Sequence, residues 1–262
     1  MAANSSPLLR VSAISKRFGG VQALDDISFE VPAGMIMGLI GPNGAGKTTL
    51  FNVITGAYKS DGGRVYFNGK PINGRVSHEI VGLGVARTFQ NVALFESMTV
   101  LENVMVGGHV RGRAGFWGAV LRLPHARREE RRTHAQALKL LDFVGLKDQA
   151  EHISADLPFG RQRMVEVARA LASRPRVLLL DEPAAGLNAV ETHRLGELLL
   201  KIRDTGVTLV LVEHDMSLTM RVCDRIVVLD QGRLLAQGPP REIQADPAVM
   251  AAYLGSQEHA AH

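Results

Sequence analysis

Three groups of residues in this chain have the types and spacing that phosphate chemistry requires. The first is Gly41-Pro42-Asn43-Gly44-Ala45-Gly46-Lys47-Thr48, which fits the pattern G-x-x-x-x-G-K-[ST]. Glycines let a backbone turn its N–H groups onto phosphate oxygens, and a helix N-terminus behind them adds partial positive charge. Lys47 then reaches the outer phosphates, and the Thr48 hydroxyl suits a Mg²⁺ ion. The second group is Asp181-Glu182, at the end of the apolar run Val177-Leu178-Leu179-Leu180. Asp181 suits Mg²⁺ coordination, directly or through water, and Glu182 suits polarising an attacking water. The third is His214 in Val212-Glu213-His214-Asp215, which closes the next apolar run and suits a contact to a terminal phosphate. Two strand-end acids or one histidine alone would be unremarkable surface features. Their order behind a phosphate loop is what makes them a constellation.

Such residues work only if strands and helices hold them in one place. Residues 35–40 are an apolar run that reads as a buried strand, and a helix is expected from Thr49 onward, so the loop has the strand–loop–helix context it needs. Strands are expected over 8–14, 27–31 and 62–69. Residues 177–180 and 207–212 are short continuous apolar runs, as a parallel sheet covered on both faces demands. Ligands bind beyond the carboxyl ends of such strands, which points both sets of acids toward the loop. Residues 225–230 and 233–237 flank Gln231-Gly232 as a hairpin. Between these halves, helices are expected over 100–106 and 126–144, with a surface excursion or short helix over 107–118. Gln90 sits where the chain leaves the core for these helices; its amide suits sensing Mg²⁺ or water. Phe18, in Lys16-Arg17-Phe18-Gly19-Gly20, suits stacking on adenine and suits a core position equally well.

With 262 residues, 46% hydrophobic and 21% charged, the chain can bury one sizeable core with a satellite. No stretch approaches the ~20 apolar residues that span a bilayer. Residues 1–7 have neither a basic nor an apolar leader region, so no secretory signal is expected there. Cys223 is the single cysteine, which excludes an internal disulfide and a cysteine-rich metal site and points to a reducing cytosol. Net charge is +4, yet Arg111, Arg113, Arg122, Arg127, Arg128, Arg131 and Arg132 cluster against only Glu129 and Glu130. Such a cluster suits an acidic surface or a solvated helix face. Only Phe116 and Trp117 interleave with it, which argues against stacking on single-stranded nucleic acid.

In this order of elements the chain resembles the ATP-binding subunits of ABC transporters over nearly its whole length. Phe18 matches the aromatic A-loop, residues 41–48 the Walker A motif, Gln90 the Q-loop, 177–182 Walker B with its catalytic glutamate, and His214 the H-loop. Leu157-Pro158-Phe159-Gly160-Arg161-Gln162 occupies the place of the signature, usually L-S-G-G-Q, so Pro158, Phe159 and Arg161 depart from it while Gly160 is kept. Asn188 replaces the usual D-loop aspartate. The resemblance implies an α/β fold of the P-loop NTPase, ABC-ATPase type with an N-terminal antiparallel β region. It is one domain over 1–262: a nucleotide-binding core of 1–90 and 174–240, a mostly helical inserted subdomain over 91–173, and a helical tail over 241–262. It implies ATP and Mg²⁺ as cofactors, with Gly41, Pro42, Asn43, Gly44, Ala45, Gly46, Lys47, Thr48, Thr49, Phe18, Gln90 and Gly160 touching nucleotide. Thr48, Gln90 and Asp181 would hold the metal, and Glu182 and His214 would be catalytic.

The run Glu182-Pro183-Ala184-Ala185-Gly186-Leu187-Asn188, the aromatic before Gly160 and the ending Ala252-Tyr253-Leu254-Gly255 narrow the resemblance to the larger ATPase subunit of branched-chain amino acid importers. That subfamily implies a second, different ATPase subunit, two membrane permeases, a periplasmic binding protein, and a place on the cytoplasmic face of a bacterial inner membrane. An ATPase of lipopolysaccharide export has a similar ending and length, but the arginine-rich segment and altered signature stand against it. A urea or amide importer fits as well, since this subunit does not touch the cargo. A non-transport ABC ATPase acting on nucleic acid would carry a long coiled-coil insertion or a second cassette, and neither is present. A regulatory module without hydrolysis would explain the altered signature but not an intact Glu182 and His214.

Overall fold

In the computed structural model the described residues are 7–88, 93–109 and 124–258. Gln90, together with Arg111, Arg113, Arg122, Phe116 and Trp117, lies outside them.

Two sheets carry the fold. The larger has the order β10-β9-β3-β8-β7-β6, built from β3 (Ile36–Ile40), β6 (Val85–Arg87), β7 (Val177–Asp181), β8 (Thr208–Val212), β9 (Arg225–Asp230) and β10 (Arg233–Gly238). All neighbours run parallel except the β9–β10 hairpin at the edge. Gln231 and Gly232 both take positive φ, 46° and 77°, as a tight two-residue hairpin turn requires. Every residue of β3, β7 and β8 is buried, which explains why they are apolar apart from Thr208 opening β8 and Asp181 closing β7.

Alternate residues feed two cores. Met37, Leu39, Leu179, Val210, Val212 and Leu229 face α1 (Lys47–Ile54) and the smaller sheet. Ile36, Ile40, Leu178, Leu180, Leu211 and Val228 face the other side. There they meet α6 (Ala189–Asp204), α7 (Met216–Val222), α8 (Pro240–Ala245) and α9 (Pro247–Glu258). The smaller sheet, β2-β1-β4-β5, is antiparallel. It is made of β1 (Leu9–Phe18), β2 (Val21–Val31), β4 (Gly62–Phe67) and β5 (Lys70–Pro71). β1 and β2 run further than expected. Their ends pair Lys16 with Leu24, Arg17 with Gln22 and Phe18 with Val21; only Leu24 is buried there, while Phe18 and Val21 are exposed, so no regular alternation announces a strand.

A third core joins α3 (Val100–His109), α4 (Pro124–Phe143) and α5 (Phe159–Ala172). α2 (Ser77–Leu83) lies before β6. Gly107 and Gly108, expected in a surface excursion or a short separate helix, continue α3 instead. A Cβ on Gly107 would strike the Arg169 carbonyl oxygen, so glycine there lets α3 and α5 approach closely. α5 divides its face: Val165 and Ala168 enter the third core, while Val167 and Leu171 enter the core of the large sheet.

Candidate active site

β3 delivers the phosphate loop at its carboxyl end. Gly41 is buried against β9, where a Cβ would meet the Leu229 carbonyl oxygen. Gly46 caps α1 at φ 99°, and a Cβ there would lie 2.6 Å from the Ala23 carbonyl oxygen. Both positions therefore need glycine. Between them Asn43 and Gly44 are exposed, Pro42 is half-buried and Ala45 is buried. Thr48 is exposed and Thr49 half-buried on the first turn of α1. Lys47 is buried, and its ammonium donates to the Gly41 and Pro42 carbonyl oxygens at 2.7 and 2.8 Å. Burial pulls the Lys47 pKa down, while the charges of Glu182 and Asp181 draw it back up. The loop lysine and both strand-end acids thus share one field.

The acids come from β7 and its exit. Asp181 is 1% exposed and pairs through Oδ2 with Arg87 Nη2 at 2.6 Å. Arg87 also donates from Nη1 to Asn52 Oδ1 at 2.6 Å, and its guanidinium lies 5.7 Å from the centre of the Phe51 ring. One side chain of β6 thereby ties the phosphate-loop helix to the acid of β7. The other Asp181 oxygen, Oδ1, is buried with no hydrogen-bond partner among the described residues. A buried, unpaired carboxylate oxygen is a fit donor for a hard cation, and the exposed Thr48 hydroxyl is a second oxygen of the right chemistry.

Glu182 leaves the strand in the left-handed region, φ 47°, with its N–H donating to the Val212 carbonyl at 2.9 Å. That holds the ends of β7 and β8 side by side. His214 Nε2 lies 2.7 Å from Glu182 Oε1, so these two predicted residues meet directly. A carboxylate and an imidazole at this distance can share a proton or hold a water between charged phosphate and base.

Phe18 is not a core residue. It is 43% exposed, stacks edge-on against Tyr58 at 5.3 Å and 73°, and has the Lys16 ammonium 5.2 Å from its ring. Of the two readings left open for Phe18, only an accessible aromatic survives.

The altered signature opens α5. Pro158 is its N-cap and provides no side-chain cap. Gly160 is buried, with a Cβ position 2.5 Å from Glu191 Oε1, and Phe159 packs over Gly186, 3.0 Å from where a Cβ would stand. Asn188 caps α6: its Oδ1 accepts from the Val190 and Glu191 N–H groups at 3.0 Å each. Asparagine does this as well as aspartate, which accounts for its presence physically.

Sequence reasoning gave no role to Arg87, Asn52 or Glu213. The signal was there for two of them: Arg87 is a charge in a buried strand, and Glu213 a charge directly ending an apolar one. Asn52, an amide on the α1 helix, gave none.

The ABC transporter family model matches residues 24–185, and a model of the branched-chain amino acid ATP-binding cassette transporter matches 233–259. The chain is 44% identical over 252 residues to the high-affinity branched-chain amino acid transport ATP-binding protein BraF of Pseudomonas aeruginosa, covering 96% of this chain and 99% of that one. Among solved structures, an ATP-binding cassette of an ABC transporter in its ADP conformation superposes with a TM-score of 0.84 at 33% identity, covering 96% of this chain and 100% of the other. A dimeric cassette in a post-hydrolysis state, bound to ADP and Pi, has a TM-score of 0.75 at 26% identity, covering 89% and 99%.

Proposed function

The chain belongs to the ABC transporter family, and from that membership we propose that it is the ATP-hydrolysing, energy-coupling subunit of an importer for branched-chain amino acids. The observation that carries the cargo assignment is the match of residues 233–259 to the branched-chain amino acid model, on top of near-full-length likeness to BraF. Among the described residues no helix is long and apolar enough to cross a membrane, so the transport path belongs to permease subunits. We further assign a second, different ATPase subunit, two permeases and a binding protein to the complex, at the cytoplasmic face of a bacterial inner membrane. The division into a core of 1–90 and 174–240, a helical part over 91–173 and a tail over 241–262 is supported by the separate third core of α3, α4 and α5.

In this reading the Gly41–Thr48 backbone and Thr49 cradle the phosphates, Lys47 leaves its loop carbonyls for the terminal phosphates, and Phe18 offers a face to adenine. Mg²⁺, held by Thr48 and Asp181 with Gln90, would neutralise charge on the transferred phosphoryl group. Glu182 takes a proton from the attacking water as its oxygen bonds the γ-phosphorus and ADP departs. His214 holds Glu182 and the terminal phosphate in register. Gly160 serves the nucleotide of the facing subunit, and the dimeric post-hydrolysis relative supports such a paired arrangement. ATP bridging two subunits favours the closed pair, and its hydrolysis removes that preference.

Glu182→Gln should keep ATP binding while slowing turnover by about 10² to 10⁴, the range for a positioned general base. In cells lacking the chain, uptake of labelled leucine should return with the wild-type gene and not with this variant. Wild-type turnover by Glu182→Gln would remove the base assignment; leucine uptake indifferent to the chain would remove the cargo.

A further inference from the structure

Glu213 is a carboxylate 3% exposed to solvent, at the exit of β8. Its Oε1 accepts a hydrogen bond from the Ala184 N–H at 2.7 Å. Its Oε2 accepts from the His214 N–H at 3.1 Å and, more weakly, from the Asp215 N–H at 3.4 Å. Ala184 lies two residues beyond Glu182, and His214 follows Glu213 directly. One side chain therefore grips the backbone next to each member of the Glu182–His214 contact. Together with the bond from Glu182 N–H to Val212 carbonyl, it forms successive rungs between the two strand exits.

We infer that Glu213 is a positioning residue for hydrolysis, its carboxylate locking the exit of β7 to the exit of β8 so that the Glu182 carboxylate and the His214 imidazole stay in register. The inference rests on Glu182 and His214 forming the hydrolytic pair. Two further facts favour it. Glu182 stands at φ 47°, and a non-glycine residue keeps such a conformation only where its surroundings fix it. Burial pushes the Glu213 carboxyl up, with Asp215 adding repulsion, against the three N–H groups that favour its ionised form. A buried acid whose ionised form the fold resists is what function, rather than stability, retains.

The neutral isostere tests this. In Glu213→Gln one oxygen becomes an amide that must point N–H at N–H, toward either Ala184 or His214, so one strand exit is released. Three things are then expected of the chain assembled with its transporter partners. ATP affinity stays within about twofold; kcat falls about 10- to 100-fold, equivalent to about 1.4 to 2.7 kcal/mol of barrier; and the His214 ring ¹⁵N signals move. The thermal midpoint stays close to wild type, because loss of a buried charge offsets loss of an acceptor. Glu213→Asp, which keeps the charge on a shorter arm, should recover part of kcat. Wild-type kcat with unmoved His214 signals in Glu213→Gln would overturn the inference. So would parallel loss of ATP affinity, or misfolding of both variants, since either makes Glu213 merely structural. Glu182→Gln, run alongside, separates the two ideas: if it turns over normally the hydrolytic pair fails, and if it is inactive while Glu213→Gln is normal, only the role of Glu213 fails.

Discussion

Replacing Arg87 with methionine should be among the most damaging single changes to this fold, and the damage should be reversible by a second change. The Arg87 side chain is 11% exposed and its partner Asp181 1%. Methionine can follow the aliphatic path of arginine but carries none of its donors. Three contacts disappear: the 2.6 Å pair with Asp181, the 2.6 Å bond to Asn52, and the guanidinium over Phe51. The larger consequence is what stays behind. Asp181 Oδ1 already lacks a partner among the described residues, so loss of Arg87 strips both oxygens of a carboxylate buried at the end of β7. Removing one partner of a buried ion pair costs about 3–5 kcal/mol, most of it for the charge left unpaired. Against a typical total of about 5–15 kcal/mol, that is a large share.

Asp181→Asn in the same background removes the stranded charge, so the double variant should be more stable than Arg87→Met alone. The coupling energy should reach about 2–3 kcal/mol, the upper range for contacting residues. Urea unfolding of all four proteins, without nucleotide or magnesium, provides the cycle, provided that the denaturant slopes agree. If the two changes add within about 0.5 kcal/mol, Arg87 does not neutralise Asp181, and the account of how β6 orders the acid is wrong.

Lys47→Ala should weaken ATP binding by about 10- to 100-fold, the worth of one charge-assisted contact to phosphate, as read by calorimetry on the folded chain. Unchanged affinity would remove Lys47 from the site. Pro158→Ser should add a side-chain cap to α5, which Pro158 does not supply, and raise stability by about 0.5–1 kcal/mol in thermal unfolding. In the assembled complex the same change should act on hydrolysis at the partner subunit's nucleotide, measured with the partner's own catalytic glutamate intact and then disabled; an effect confined to this chain's own site would contradict the crossed arrangement.

The large sheet was legible because its central strands are buried on both faces, so β3, β7 and β8 show as short runs of mostly branched apolar residues bounded by turn signals. The phosphate loop was legible because Gly41 and Gly46 answer to backbone contacts that no other residue tolerates. What stayed hidden has a common cause. The ends of β1 and β2 form a ribbon in which Phe18 and Val21 stay exposed and only Leu24 is buried, so alternation is weak there. Gly107 and Gly108 read as the start of an excursion or a short separate helix because glycine is a poor helix former, yet close approach to Arg169 favours glycine within α3 at Gly107. Arg87, Asn52 and Glu213 act through partners 94, 35 and 29 positions away along the chain. Such pairings depend on which strand lies beside which, and no local pattern encodes that.

The altered signature packs against the segment that follows β7. Phe159 stands where the family usually has glycine, and its ring lies across Gly186, which has φ 79° and where a Cβ would stand a tight 3.0 Å from that ring. Gly160, the retained glycine, admits the Glu191 carboxylate at the distance of direct contact. Glu191 in turn accepts the Asn188 N–H at 3.0 Å, while Asn188 Oδ1 accepts from the Glu191 N–H. The left-handed backbone at 186 favours glycine, which also leaves space for the Phe159 ring, and the small residue at 160 makes room for the capping carboxylate at 191. Gly186, Asn188 and Glu191 follow the acids of β7 within ten residues, and Phe159 and Gly160 touch them, so the start of α5 and the start of α6 are packed together within one subunit.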